Sequence, residues 1–459
     1  MNKQNGSDPI MESTLVIGAG LAGLSCAFEL VDRGQPVLVL EAGRVVGGRT
    51  ANWDADGMEV ESGYHKFLGY YEALPELLKR AGIDPDEMLI WEHSMEIRHP
   101  DADKPGVFGL DPVRAPLKTL AGAIGNNELI SPADKASLAP FFAKGFKDAA
   151  AKPEELDELS VLAYARMHNV TDRAIERIVE PLSSGVFFLP PERFSAYAFF
   201  GLFGHVLPRL HKMRIGAFAG GMTDVMTGPL AAAIERRGGR VRTGAPVERL
   251  LVEGGSVKGV VLGNGEEIRA HRVVVAANLR PAQRLVAGAV GSHPWFRPFL
   301  SLDAMPYVTV QFEAGEPLLP AGHTIFGPGT NLGSFAEQSR TTFRGRPGRA
   351  SIIIVDPDRH IDRPAEDVFR MTADDLLRIG LPAAKTATQF RVVRSAEHFY
   401  RIAPGNERKR PTQETPVPGL FLAGDYTKQT MFCTMEGAVI SGRKAAEAVL
   451  RQLGQPAGT

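Results

Sequence analysis

The chain has 459 residues, 44% hydrophobic and 23% charged, enough to bury a large core across two or three domains. Its 52 basic and 53 acidic side chains leave a net charge of −1, which excludes a bulk basic field recruiting nucleic acid. The two cysteines, Cys26 and Cys433, exclude a disulfide framework and have no metal-ligand spacing, and they fit a reducing compartment.

The opening stretch "MNKQNGSDPIMES" is polar and lacks the apolar core of a signal peptide. No run of about eighteen apolar residues follows, so no spanning helix is expected. The next stretch, "STLVIGAGLAGLSCAFELVDRGQPVLVLEAG", reads as strand, glycine turn, helix and strand. Residues 14–17 form the first strand, and Gly18, Gly20 and Gly23 the turn. A helix burying Leu24, Ala27, Phe28 and Val31 stops at Gly34, and residues 37–40 form the second strand, ended by Glu41. The tight turn needs Gly18, close approach of backbone to a pyrophosphate needs Gly20, and close helix–strand packing needs Gly23. The helix N-terminus offers N–H groups to phosphate. Glu41, about twenty residues beyond the glycines, suits a ribose 2′-hydroxyl and repels a 2′-phosphate. Dinucleotide binding is therefore expected.

After Glu41 comes "AGRVVGGRTANWDADGMEVESGYHKFLGYY", in which paired glycines would let the chain pass a phosphate that Arg49 can neutralise. From about residue 240, "GGRVRTGAPVERLLVEGGSVKGVVLGNGEEIRAHRVVVAAN" alternates as strands separated by glycine turns. Near the end, "GLFLAGDYTKQ" meets "MEGAVISGRKAAEAV", a strand, a Gly-Asp pair and a helix. The Gly-Gly-Arg triplet and these later segments resemble the flavin amine oxidase and carotenoid desaturase superfamily. "WEHSM", "LKTLAGAIGNNELISPADK" and "HFYRIAPGNERKRPTQETPVPGLFLAGD" narrow the resemblance to the plant and cyanobacterial phytoene desaturases. It spans about residues 14–450 and is thin between about 280 and 390.

The resemblance implies an α/β protein with a Rossmann-type, glutathione-reductase-like FAD-binding domain and a discontinuous α+β substrate domain. FAD would contact Gly18, Gly20, Ala22, Gly23, Glu41, Ala42, Gly48, Arg49, His65, Lys66 and Tyr71, then Val247, Gly424, Asp425 and Met435. His205 and Cys433 would face the substrate. Four positions depart from the family pattern. Arg49 stands for a lysine, Lys66 for an apolar residue, His205 for a cavity arginine and Cys433 for a small residue. They bear on the substrate more than on the cofactor.

The FAD domain is expected over 10–90, 216–290 and 415–455, and the substrate domain over 91–215 and 291–414. "APLKTLAGAIG", "SPADKASLAPFFAKGF" and "TDRAIERIVEPLSSG" have helical spacing and form a cap. "YVTVQFEAG" and "RASIIIVDP" read as strands flooring the site, and "EDVFRMTADDLLRIG" as a helix packed on the core. The run from Phe199 to Arg214 interleaves Phe200, Leu202, Phe203, Leu207 and Leu210 with His205, Arg209 and Lys212. It reads either as a basic helix end or as a membrane-facing lip.

No catalytic triad or metal site is visible. Glu61 and His65 could handle a proton, although a structural acceptor and cofactor packing are the plainer readings. Cys433 reads as a wall residue rather than a nucleophile. The expected reaction is dehydrogenation of a long apolar isoprenoid such as phytoene, with flavin reoxidised by a quinone. Hydroxysqualene dehydroxylation and amine oxidation are the alternatives on this scaffold. Tyr426 and Phe432 make no convincing aromatic cage, against the amine reading. The expected location is cytoplasmic, peripherally on the inner face of a membrane, in a bacterial cell. The oligomeric state is left open.

Overall fold

Strands Glu12–Ile17, Val37–Leu40, Arg240–Arg242, Glu267–Val275 and Leu420–Leu422 pair in parallel, in the order 240, 37, 12, 267, 420. The computed structural model describes residues 12–319 and 322–454. The polar opening segment, up to Met11, lies outside them. Val37–Leu40 is buried along its whole length, as expected for a parallel strand covered on both faces. Two antiparallel strands, Val247–Glu253 and Ser256–Leu262, extend this sheet from the first half of Glu267–Val275.

The first strand starts at Glu12, earlier than the apolar run suggested, and the helix after the glycines runs Leu21–Val31. That helix packs on the C-terminal helix Met435–Gln452 at backbone distance. A Cβ on Gly442 would lie 2.1 Å from the Ala22 carbonyl oxygen, and Ser25 Oγ donates to the Val439 carbonyl at 3.0 Å. The glycine fingerprint and the chain's last helix therefore form one unit.

A second seven-stranded sheet has the order Gln389–Tyr400, Ala304–Glu313, Ala350–Ile354, Leu332–Glu337, Ile325–Gly327, Ser94–Ile97, Gly106–Gly109. Its strand Ala304–Glu313 alternates faces, as a pleated strand must. Val308, Val310 and Phe312 join the core under helix Ala365–Arg378, where Phe369 stacks on Phe390 at 4.2 Å. Tyr307 belongs to the other core, and Gln311 accepts from and donates to the Glu61 backbone. A small sheet of Phe67–Leu68, Ile215–Phe218 and Leu89–Glu92 lies beside it.

The helical layer begins cleanly where its caps are. Ser131 and Asp134 form a reciprocal capping box ahead of helix Pro132–Ala151, with Pro132 at its first position. Helix Ala196–Gly204 is sunk into this layer, with Phe200 over Gly145 and 5.0 Å from Phe141. The run read as a basic helix end or a lip therefore begins in the core and comes out to solvent in its second half. Phe199 and Phe200 are fully buried and Leu202 nearly so, while Leu207 and Leu210 reach solvent. The phenylalanines sit there because the facing helix offers Gly145 to receive a ring. Larger apolar exposure occurs elsewhere, on and beside helix Pro116–Ile124. Leu117 is 81% exposed, with Val113, Leu120 and Ile124 also exposed.

Candidate cofactor and substrate cavity

A cavity of about 620 Å³ opens at the carboxyl ends of the parallel strands and continues under the second sheet. Its first part is shaped by the glycine turn. Gly18 sits at φ +105°, where a Cβ would meet the Ala276 carbonyl oxygen at 2.8 Å. At Gly23 a Cβ would lie 1.9 Å from the Gly18 carbonyl oxygen, so this glycine serves packing. Gly20 is different. The nearest protein atom to a Cβ there is 3.9 Å away, so its open side faces the cavity. No side chain caps the first turn of helix Leu21–Val31, which leaves its amide donors for an anion.

Glu41 is held at the strand end, with Oε2 accepting from the Ala19 amide at 2.7 Å and Oε1 from Gly43 at 2.8 Å. A carboxylate has further lone pairs, so the ribose hydroxyls of a dinucleotide fit here. Gly47 donates to the Ala19 carbonyl at 2.8 Å, bringing the second glycine pair against the first turn. The donors, the open Gly20 and the acidic strand end together fit the adenosine and pyrophosphate of FAD.

Deeper in, Arg49 and Asp425 form a two-pronged ion pair at 2.9 and 2.8 Å across 376 positions of sequence. Burial pulls the Arg49 guanidinium pKa down, but the Asp425 carboxylate outweighs it and holds it above the ordinary value. Arg49 also lies 4.8 Å from the Phe399 ring centre. Cys433 has φ +48°, an uncommon backbone for a non-glycine residue, and burial pushes its thiol well up, with Asp425 adding to the shift. Cys433 lines the cavity. Thr434 caps the last helix by accepting from the Gly437 amide at 3.0 Å, and Thr434, Met435 and Ala438 line the cavity. Glu436 turns away and caps helix Ala73–Ala81, accepting from the amides of Glu72, Ala73 and Leu74 at 2.8, 2.6 and 2.8 Å.

Beyond the ion pair the wall becomes apolar and aromatic. Val186, Phe187, Phe188, Leu202, Ile215, Phe326, Ile353 and Phe399 line it, with Tyr307. Phe188 lies 5.6 Å from Phe399 and 6.5 Å from Tyr307 between ring centres. Burial holds the Tyr307 phenol above its ordinary pKa. Polar side chains in the wall include Tyr64, His65, Lys66, Thr324 and Ser334.

Of the residues singled out from sequence, the cavity wall includes Gly18, Gly20, Ala22, Glu41, Ala42, Gly48, Arg49, His65, Lys66, Tyr71, Val247, Gly424, Asp425, Cys433 and Met435. Gly23, Glu61 and His205 lie off it. Glu61 is buried behind, accepting from Gln338 Nε2 at 2.8 Å and lying 3.9 Å from His65 Nδ1. His205 is half-buried at a helix end, its Nε2 3.3 Å from the Thr430 carbonyl, and desolvation lowers its pKa. Tyr426 stacks on Phe299 at 5.5 Å and Phe432 packs edge-on to Tyr197, so neither ring forms a cage at the cavity. The aromatic wall itself escaped the sequence reading. Only the alternation of Tyr307 with Val308 could have flagged one of its members.

A dinucleotide cradle opening into an aromatic-walled lobe defines an FAD-dependent oxidoreductase. The chain belongs to the flavin containing amine oxidoreductase family, whose profile matches residues 21–450. It is similar to the 15-cis-phytoene desaturase of Solanum lycopersicum, at 29% identity over 455 residues, covering 95% of this chain and 77% of that one. The 15-cis-phytoene desaturase of Synechococcus elongatus is 27% identical, with 95% of both chains covered. The zeta-carotene desaturase of Zea mays is 27% identical over 94% of this chain and 82% of that one. Among solved structures the fold resembles an oxidoreductase from Methanosarcina mazei (TM-score 0.72, 19% identity, 96% and 100% covered). It also resembles putrescine oxidase (TM-score 0.75, 18% identity, 96% and 99% covered).

Proposed function

We propose that the protein dehydrogenates a long apolar isoprenoid such as phytoene and that a quinone takes the electrons away. The observation that carries this reading is the continuity of the cradle with the lobe of Val186, Phe187, Phe188, Leu202, Phe326 and Ile353. Such a wall excludes water and offers dispersion contacts to a hydrocarbon chain. FAD, when bound, supplies the hydride acceptor. Residues 10–90, 216–290 and 415–455 hold it in this reading, and 91–215 and 291–414 enclose the substrate.

Glu41 and the first helical turn bind the adenosine and pyrophosphate, and Arg49 with Asp425 orients the middle of the cofactor. His65 is the histidine of the described wall, and its Nδ1 lies 2.7 Å from the Gly63 carbonyl. With that nitrogen donating, the basic lone pair sits on Nε2, and we assign the departing proton to it. Glu61 serves as a buried brace behind the imidazole, and Cys433 as a small wall residue.

No helix of the described residues is long and apolar enough to cross a membrane. Helix Pro116–Ile124 carries exposed Leu117, Leu120 and Ile124 beside exposed Arg114 and Lys118. That mixture suits peripheral docking on the inner, anionic face of a membrane. Arg114 is close enough to Arg214, the neighbour of cavity-lining Ile215, to add to the lowering of its pKa that burial begins.

The deciding experiment is anaerobic mixing of the holoenzyme with phytoene in detergent. Flavin bleaching, a new polyene spectrum and recovery on adding a quinone are expected. A flavin that stays oxidised with phytoene and bleaches with an alkylamine would replace this reading by amine oxidation. The ring cluster of Phe188, Tyr307 and Phe399 is the observation that favours that second reading.

A further inference from the structure

Lys66 carries a charge into the apolar lobe. It lies where strands Phe67–Leu68 and Leu89–Glu92 flank Ile215–Phe218, and its neighbours in the cavity wall include Leu68, Ile215 and Phe326. Its ammonium pairs with Glu92, and the side chain is 11% exposed. Glu92 is also held on its other oxygen, since Oε2 accepts from the Thr324 amide at 3.0 Å and from the Thr324 hydroxyl at 2.8 Å. Removing an ion pair in favour of two apolar side chains is often neutral or stabilising, so stability alone does not account for this one.

The hydrogen-bond directions leave a defined vacancy of valence. Thr324 gives its hydroxyl proton to Glu92, so the Tyr64 hydroxyl, 2.9 Å from Thr324 Oγ1, donates to Thr324. The Tyr64 oxygen therefore retains acceptor lone pairs. The Lys66 ammonium gives one proton to Glu92 and lies 4.7 Å from the centre of the Tyr64 ring, which leaves two N–H groups. Tyr64, Lys66 and Thr324 all line the cavity. Of the two arginines in the wall, Arg49 has both terminal nitrogens on Asp425 and Arg284 lies 3.3 Å from Glu397.

We propose that Lys66 and Tyr64 form a specificity subsite for the oxygen-bearing end of an isoprenoid. It rests on the isoprenoid reading given above and goes beyond it, because phytoene carries no oxygen and the ligand here is the isoprenoid quinone or an oxygenated isoprenoid. A ligand hydroxyl would accept from Lys66 and donate to Tyr64, whereas a quinone carbonyl would use Lys66 alone. The two sources are thus separable by the same pair of residues.

The test uses the FAD-loaded enzyme and equilibrium titration read from the flavin absorbance bands. Three probes share one chain length: geranylgeraniol, the corresponding hydrocarbon, and a quinone carrying a geranylgeranyl chain. A charge-assisted hydrogen bond in a desolvated wall should make an oxygenated probe bind roughly ten- to a hundredfold tighter than the hydrocarbon. The double variant Lys66→Met with Glu92→Leu, which leaves no orphan charge, should abolish that preference, and its flavin content measured first tells a lost preference from lost cofactor. Tyr64→Phe should weaken the alcohol and leave the quinone unchanged if the hydroxyl is the ligand. Equal binding of all three probes by the unaltered enzyme overturns the proposal while the isoprenoid reading stands, and needs no variant to fold. Binding of none of them overturns both.

Discussion

At the dinucleotide end the cavity wall is chiefly backbone, with Gly18, Gly20, Gly47 and Gly48 passing close to one another and amide groups facing in. At the lobe the wall is side chain, drawn from the segments around Phe188, Leu202, Ile215, Tyr307, Phe326, Ile353 and Phe399. The first end depends on where a Cβ cannot go. The second depends on which side chain is sent there. A change at the first should therefore act on cofactor retention or folding, and a change at the second on the substrate alone.

The largest effect should come from Gly20→Val. The backbone there is extended and a Cβ has room among protein atoms, so the chain should fold. The added side chain would occupy the cradle, and the purified protein should be colourless, with FAD affinity down by more than about a hundredfold. Flavin absorbance and a thermal melt of the same sample check both halves. Gly23→Ala should do the opposite, costing about 3 kcal/mol of stability through its clash with the Gly18 carbonyl, as urea unfolding would measure. Equal behaviour of these two variants would erase the distinction drawn between the glycines.

Phe188→Ala tests the lobe. Stoichiometric flavin with a KM for the isoprenoid raised about tenfold is the expected pattern. Loss of FAD instead would mean that the two ends are not separable. The smallest effect concerns the support behind the cradle, where Glu29 meets Arg33, Arg80 and Arg443 at 2.9, 2.8 and 3.2 Å. Burial raises the Glu29 pKa, but the arginines outweigh it and hold the carboxyl below its ordinary range. A carboxyl with a depressed folded pKa gives full stability above its unfolded pKa and loses it as pH falls through the folded one. Glu29→Gln should thus cost about 1 kcal/mol at neutral pH, discounted for the partly exposed arginines, and the penalty should shrink in acid below the ordinary glutamate range. Melting temperatures across that range measure it.

The same division explains what could be read in advance. Gly18, Gly20, Gly23 and Glu41 follow each other along a few turns of chain, so their spacing betrays the strand, turn and helix. Val37–Leu40 is fully apolar because both its faces are covered, and that also shows locally. The lobe is different in kind. Phe188 and Phe399 are ordinary apolar residues until the second sheet brings them within 5.6 Å, and no local pattern separates them from core. Phe200 shows the converse error, since an apolar run beside basic residues looked like surface until Gly145 received its ring. Lys66 was conspicuous as a departure from its relatives, but Glu92 and Thr324, which give it meaning, were not.

One cap has a consequence for how the chain comes off the ribosome. Helix Ala73–Ala81 has no side chain of its own to satisfy its first amides, and Glu436 supplies both carboxylate oxygens from the final helix. Strand Leu420–Leu422 likewise completes the edge of Glu267–Val275 late. The fingerprint is translated well before helix Met435–Gln452, so the nucleotide-binding half stays unfinished until that helix emerges. Nascent chains arrested before Leu420 should be cut readily by protease near Ala73, and chains in which helix Met435–Gln452 has emerged should not.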